Sequence, residues 1–378
     1  NMIKYDLAAI RSDVDNFMVH EHMIGSTPVY LIQPVHIGAR WDRTNLINRS
    51  AVVTADGTPV SLSWKKFANF GEKPEVFNVP SSLDGCEAME KIDGSTLAVS
   101  TFEEQNGTDH LVIRTRGTVD ATKQDNGWEI ELLKQKYPMA FNNAVVTSGI
   151  ATVVFEWYSP SNKIVLDYGD EPLLYLTGII NHRDYSYVSQ DVLDIYAKEW
   201  GVLRPRRYKF ETLDQLQTAV KAFRGVEGVC LYFHGGQEIT KIKGDSYLFL
   251  HRAKSDIASI EKVIDLYLDR WTIDGHFYSY DEFFAYLEKT FDYEIAVMAR
   301  GHVSRICDAM KEVEKIIHAM RNFLTPFMVS DASRKDVALT IQQAYGTTGR
   351  AGLAFKTYDR KALVPDDIKK LLFQCLKA

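Results

Sequence analysis

The chain has little of what marks a secreted, membrane-spanning or metal-stapled protein. Its 378 residues hold four cysteines, Cys86, Cys230, Cys307 and Cys375, scattered and without a C-x-x-C pair. That argues against a disulfide framework or a cysteine-based zinc site and fits a reducing compartment. No run of about 18 apolar residues occurs, so no membrane-spanning helix is expected. The opening NMIKYDLAAIRSDVDN is charged throughout and lacks the apolar core of a signal peptide. His20, Glu21 and His22 are adjacent rather than in H-E-x-x-H spacing, and no G-x-S-x-G elbow occurs. GTTGRAG at Gly346 lacks the Lys-Ser/Thr of a phosphate-binding P-loop and reads as a plain loop. An excess of positive charge is missing too: 44 Lys and Arg stand against 50 Asp and Glu, a net charge of −6. Net charge does not exclude a nucleic-acid partner, because association follows the local field of a cleft. One local basic run exists, KEWGVLRPRRYK from Lys198 to Lys209, with Trp200 and Tyr208 interleaved. It is equally a solvated face or an RNA contact.

What is present is ordinary for a folded protein: 46% hydrophobic and 25% charged residues, enough for a sizeable core, over a length that favours two domains. As far as about residue 255 the pattern is of short β-type runs with turn signals. AVVTADGTPVSLSW carries a D-G turn between β-branched runs, and STLAVSTFEEQNGTDHLVIRTRGTV repeats this with N-G. ATVVFEWYSP, KIVLDYG and PLLYLTGIINH read as further strands, and VEGVCLYFHGGQEITKIKG as strand, Gly-Gly turn, strand. ETLDQLQTAVKAF is a helix between them. Near Ser255 the spacing becomes helical. Ile260, Ile264, Tyr267 and Trp271 lie on one stripe, and Val303, Ile306, Met310, Val313, Ile317, Met320 and Leu324 on another. Ser330 is the expected cap of a third helix, and Pro365 with Asp366 the start of a last one. The reading is an α+β, antiparallel-sheet domain over residues 1–255, then a smaller all-helical domain over 256–378.

The first chemical lead is KIDGS at Lys91 to Ser95. A K-x-D-G string can place a lysine at a strand end, with Gly94 letting the backbone turn close to a nucleotide. It is short enough to arise by chance, as an exposed turn. An ε-amine attacks phosphorus only when unprotonated, so neighbouring cations or burial are expected to depress the pKa of Lys91. Further strings follow in fixed order: RSAVVTADGTPV from Arg49, KKFANFGEKPE with Lys66 and Phe67, LVIRTRG with Arg116, FEWYSPSNKIVLDYG with Glu156, VEGV with Glu227, and TKIKGDSYLFLH. Lys241 and Lys243 alternate with Ile242, so both face one side of a strand and suit a triphosphate clamp. Glu156 and Glu227 are isolated acids in apolar runs, and a buried carboxylate needs a partner.

This series resembles the covalent lysine nucleotidyltransferase superfamily, and in detail the phage-type RNA ligase 1 family, over about residues 40 to 255. The resemblance implies an antiparallel-sheet nucleotidyltransferase domain of the ATP-grasp-like ligase fold, with a helical domain that recognises RNA. It implies Lys91 as the nucleophile that takes AMP. Arg49, Lys66, Gly94, Arg116, Glu156, Lys241 and Lys243 are the expected ATP-binding residues. Glu227 and Glu156 are the expected metal ligands, for Mg²⁺ or alternatively Mn²⁺. Phe67 would accompany Lys66, and Tyr247 would support RNA-dependent steps. Two positions depart from the family: Ser50 stands where relatives have glycine and Arg116 where they have lysine, which keeps the charge but not the point geometry.

The implied reaction is ATP-dependent joining of an RNA 5′-phosphate end to a 3′-hydroxyl end, through lysyl-AMP and an adenylylated RNA. The expected substrate is single-stranded RNA or a broken tRNA loop, handled by a cytoplasmic monomer in a bacterial or phage-infected cell, in RNA repair or tRNA processing. Two alternatives are a DNA ligase or capping-type nucleotidyltransferase, and a non-catalytic nucleic-acid-binding module. The first usually continues into a small β-barrel where this chain turns helical. The second should have lost its nucleophile or acids.

Overall fold

The computed structural model describes residues 2–147, 150–274, 276–291 and 293–377. The chain divides into two compact units, Asn1–Leu248 and Phe249–Ala378. Among the described residues no helix is long and apolar enough to cross a membrane.

The strands, in order, are β1 (Phe17–Ile24), β2 (Thr27–Pro34), β3 (Ala51–Thr54), β4 (Pro59–Leu62), β5 (Glu87–Lys91) and β6 (Ser95–Glu103). They continue with β7 (Asp109–Arg114), β8 (Ala151–Tyr158), β9 (Leu173–Asn181), β10 (Arg207–Tyr208), β11 (Gly228–Phe233) and β12 (Glu238–Lys243). They form three sheets, ordered β1-β2-β3-β4, β10-β5-β11-β12 and β7-β6-β8-β9, and each pairing is antiparallel. Helices of the first unit are α1 (Leu7–Ser12), α2 (Gly127–Lys136), α3 (Pro138–Thr147), α4 (Gln190–Trp200) and α5 (Leu213–Lys221). Each sheet follows from alternation. In β8, Val153 and Phe155 enter one core with Leu97, Val99, Leu174 and Leu176, whereas Val154 faces a second core with Ile32, Val53, Leu62 and Ile180. Burying such a side chain contributes about 1.5–3 kcal/mol, so each face of β8 is fixed by several independent contacts.

The hairpins expected at Asp56, Asn106 and Gly235 all form, as β3–β4, β6–β7 and β11–β12. KIVLDYG is not a strand: residues 163–169 have irregular backbone, for a reason that belongs to the site. Three helices, α2, α3 and α4, also stand where sequence spacing gave no helix. The basic run is not one surface. Trp200 is buried and stacked on Tyr196, while Arg204 and Arg207 are held by Asp194, Asp191 and Glu87.

The second unit begins within α6 (Asp245–Ala258), whose first turn precedes the division. It contains α7 (Ile260–Asp274), α8 (Tyr280–Thr290), α9 (Tyr293–Met298), α10 (Arg300–Met328), α11 (Arg334–Tyr345), α12 (Ala351–Tyr358) and α13 (Pro365–Lys377). All seven residues of the second stripe are buried along α10, in one core with Val263, Ile264, Tyr267 and Leu372. Pro365 does begin the last helix, but the cap of α11 is Ser333, whose hydroxyl accepts from Asp336 N, rather than Ser330.

Candidate active site

Lys91 is the last residue of β5, opposite Gly228 of β11, which in turn stands opposite Lys243 of β12. One row of the sheet therefore carries lysine, glycine, lysine, with Glu227 just before the glycine. A Cβ on Gly228 would lie 2.0 Å from the Ile242 carbonyl oxygen, so no larger residue fits between the two lysines. The Glu227 side chain is only 4% exposed, and its Oε1 lies 2.9 Å from Lys91 Nζ and 3.5 Å from Lys243 Nζ. Burial, the largest single influence, would lower the pKa of Lys91, but Glu227, with Cys230 and Glu156 adding to it, outweighs burial and holds the ammonium above the usual lysine range. This reverses the expectation of a depressed Lys91. The nearest charge is an anion, and Lys243 shares it.

Glu156 reaches the same pocket from β8, where it stands opposite Thr96 of β6 and accepts a 3.3 Å hydrogen bond from its hydroxyl. Its carboxyl is pushed up to about 7, first by burial, with Lys91 opposing and Glu227 adding to the rise. Gly94 makes this approach possible: a Cβ there would lie 2.4 Å from the Trp157 carbonyl oxygen and 3.2 Å from Glu156 Cγ. The glycine of K-x-D-G is thus required by close backbone passage beside Glu156, not by an unusual φ.

The cations stack around Phe67. Arg49 lies 5.8 Å and Lys241 Nζ 5.5 Å from its ring centre, and Lys66 Nζ is 5.7 Å from the ring of Trp41. Lys241 is lowered to about 8 by burial and then by Lys243, Lys91, Lys66 and Arg49. Burial and then the neighbouring Arg116 lower Arg49 to about 10, and burial and then Arg49 lower Lys66. A cluster of half-buried, mutually repelling cations has the charge that suits a polyanion.

The aspartate of the motif, given no role by the sequence, ties the site together. Asp93 is 3% exposed. Its Oδ2 accepts from Val165 N (2.9 Å) and Leu166 N (2.7 Å), and its Oδ1 from the Tyr247 hydroxyl (2.8 Å). KIVLDYG is therefore not a strand because two of its backbone donors bond a carboxylate instead of a neighbouring ladder. Tyr247, just past the lysine pair, is anchored to the turn that follows Lys91, with Lys243 Nζ 5.6 Å from its ring centre. Asp93→Ala is expected to strand three donors at about 1–3 kcal/mol each, a loss of thermal stability together with adduct formation. Asp93→Asn should be milder, since its oxygen can keep both backbone donors. Paired melting and activity assays check the order; equal losses would contradict it.

The two departures from the family are linked. The Ser50 hydroxyl donates to the Arg116 carbonyl oxygen (2.8 Å) and accepts from Arg114 Nη1 (2.7 Å). Arg114, fully buried, also donates to the Ser61 hydroxyl at 2.6 Å. This network, missed in the sequence although an arginine in the apolar run LVIR hinted at it, joins the segments carrying Arg49 and Arg116. The Arg116 side chain itself is exposed.

The two buried carboxylates fit one kind of metal site. Among the described residues no group of three His, Cys, Asp or Glu side chains could hold an ion. Magnesium, however, is commonly bound through one or two carboxylates plus substrate phosphates, keeping its waters. Glu156 and Glu227 beside a cationic cluster match that donor set.

A family model described as RNA ligase matches residues 49–257, more than half of the sequence and the stretch that holds Arg49, Lys91, Glu156, Glu227 and both β12 lysines. The chain belongs to the RNA ligase family. Among solved structures it is similar to a Naegleria gruberi RNA ligase with PPi, at 17% identity and TM-score 0.33, over 44% of this chain and 51% of that one. It thus spans about half the length of that relative. It is also similar to an archaeal ATP-dependent RNA ligase, at 10% identity and TM-score 0.40, over 79% and 75% of the two chains. A lysine-to-alanine mutant of the Naegleria gruberi enzyme with ATP and Mn matches at 14% identity and TM-score 0.36, over 66% and 84%. Family membership makes the joining of RNA ends the reaction class.

Proposed function

We propose that this RNA ligase joins a 5′-phosphate RNA end to a 3′-hydroxyl end through AMP carried on Lys91. What supports the reading most is the row Lys91, Gly228, Lys243 with Glu227 against it: an amine, its proton-holding carboxylate and a phosphate-binding cation, side by side. Lys91 Nζ forms a bond to the α-phosphorus of ATP as the bond to pyrophosphate breaks. An oxygen of the RNA 5′-phosphate then takes the AMP and frees Lys91. Finally the 3′-hydroxyl attacks the RNA 5′-phosphorus and AMP leaves. Arg49, Lys66 and Lys241 hold the outgoing pyrophosphate, with the exposed Arg116 adding charge beside Arg49, and Lys243 accompanies the reacting phosphate. A divalent cation on Glu156 and Glu227 would add positive charge at phosphorus and occupy the carboxylate that otherwise keeps Lys91 protonated.

The charge states set a pH window. Glu156, with its carboxyl near 7, is anionic only above that value, and Lys241, near 8, is cationic only below it. Affinity for an ATP analogue uncleavable between its α- and β-phosphates, with Mg²⁺, should therefore peak between these values and weaken on both sides. Lys241→Gln should remove the alkaline limb at a cost of about tenfold in affinity. An unchanged alkaline limb in that variant would contradict the assignment. The acceptor is tested by offering 5′-phosphorylated single-stranded RNA, nicked duplexes and DNA ends in parallel. RNA ends should be sealed in preference, whereas preference for nicked DNA would overturn the RNA reading.

A further inference from the structure

A second pocket lies at the other end of the β11–β12 hairpin, lined by Arg43, Lys65, Phe77, Tyr187, Phe233 and Glu238. It meets the Lys91 pocket at Phe67 and Ile239, which line both. We propose that it binds an unpaired nucleotide of the RNA being joined, the base against its aromatic walls and the phosphate against Lys65 and Arg43. The proposal rests on the RNA-joining reading.

Single strands of nucleic acid are held by cations that follow the backbone and by rings on which bases stack. This pocket supplies both, with the half-buried Phe77 as the ring open to a base and the buried Tyr187 and Phe233 behind it. Lys65 Nζ lies 5.1 Å and 5.9 Å from the ring centres of Tyr185 and Tyr187. Arg43 is fixed by the Glu75 carbonyl oxygen (3.2 Å) and Asn78 Oδ1 (3.1 Å), both neutral partners. Among the described residues neither Arg43 nor Lys65 forms an ion pair. Glu238, the one carboxylate among the described lining residues, already binds Asn78 Nδ2 (2.8 Å) and His234. The pocket is therefore net positive and aromatic.

Its place fits RNA better than ATP. Gly228 stands opposite Lys91, and Phe233 of the pocket is five residues further along β11. At about 3.3 Å per residue the separation is about 16 Å, and the cations around Phe67 that suit phosphates lie on the way. A stacked strand advances about 3.4 Å per nucleotide, so the pocket would hold a nucleotide within about five of the join.

The test measures adduct formation and RNA binding separately in Lys65→Ala and Phe77→Ala proteins, each checked for an unchanged melt. The probe is a 5′-phosphorylated single-stranded RNA, compared with a dinucleotide too short to reach from Lys91. Both variants should form the Lys91 adduct from ATP like the parent and bind the longer RNA about tenfold more weakly. Lys65→Ala should also lower the slope of log affinity against log salt by about 0.7. The dinucleotide should show no difference. Unchanged affinity and slope for the longer RNA, with adduct formation normal, would overturn the pocket and leave the ligase reading intact. A raised KM for ATP with RNA binding unmoved would also overturn it, assigning the pocket to the triphosphate. Absence of any adduct in the parent would instead strike the ligase reading itself.

Discussion

Lys91→Ala is expected to abolish transfer of AMP to the protein, by about 10⁵-fold or more, while leaving some joining of RNA supplied already adenylylated. The asymmetry follows from the bonds made. Only the first two steps form or break a bond at Lys91 Nζ; the last is an attack of a 3′-hydroxyl on RNA phosphorus with AMP as leaving group. Glu156, Glu227 and the β12 lysines, which surround that phosphorus in the proposed reading, are untouched by the substitution. Gel assays with unmodified and pre-adenylylated RNA separate the two activities. A Lys91→Ala protein that still acquires AMP would refute the assignment. One that loses both activities alongside an unchanged melt would show that Lys91 also acts in the final step.

Glu227→Gln is expected to change two measurements in opposite directions. The carboxylate holds Lys91 at 2.9 Å and Lys243 at 3.5 Å from one oxygen. Glutamine keeps the size and removes the charge. Burial then acts on Lys91 without its main opponent, so more of the amine is neutral and an acylating probe should modify Lys91 faster in the absence of ATP. With ATP and Mg²⁺, adduct formation should fall by about 10²–10³, the usual cost of deleting one preorganised charge-stabilising group. The second effect dominates because the reaction needs negative charge beside phosphorus to hold the cation, not merely a free amine. A purely structural role would slow both reactions, so parallel losses would count against this account.

How much of this was legible in the sequence differs from part to part. Strands with strict alternation and Asn-Gly or Asp-Gly turns announced themselves, because side-chain period and turn geometry are local properties. So did the α10 stripe. The segment 163–169 did not, since its alternation looks like a strand and only a carboxylate seventy residues earlier in the chain diverts its backbone donors. The α2–α3 pair was not read from the sequence; Pro138 sits at the first position of α3, where a missing N–H costs nothing. At the site, residue types in fixed order singled out Lys91, Glu156, Glu227 and the β12 lysines, which the fold brings together. Their electrostatics were not legible: that Glu227 lies closer to Lys91 than any cation depends on register across β5, β11 and β12. Ser50 and Arg116 read as two separate departures until their hydrogen bond linked them.

The most direct test of the central claim is mass spectrometry of the protein after incubation with ATP and Mg²⁺, with the modified peptide sequenced. The account predicts a single AMP on Lys91, lost on adding pyrophosphate or a 5′-phosphorylated RNA. No adduct, or AMP on another residue such as Lys241, would contradict it.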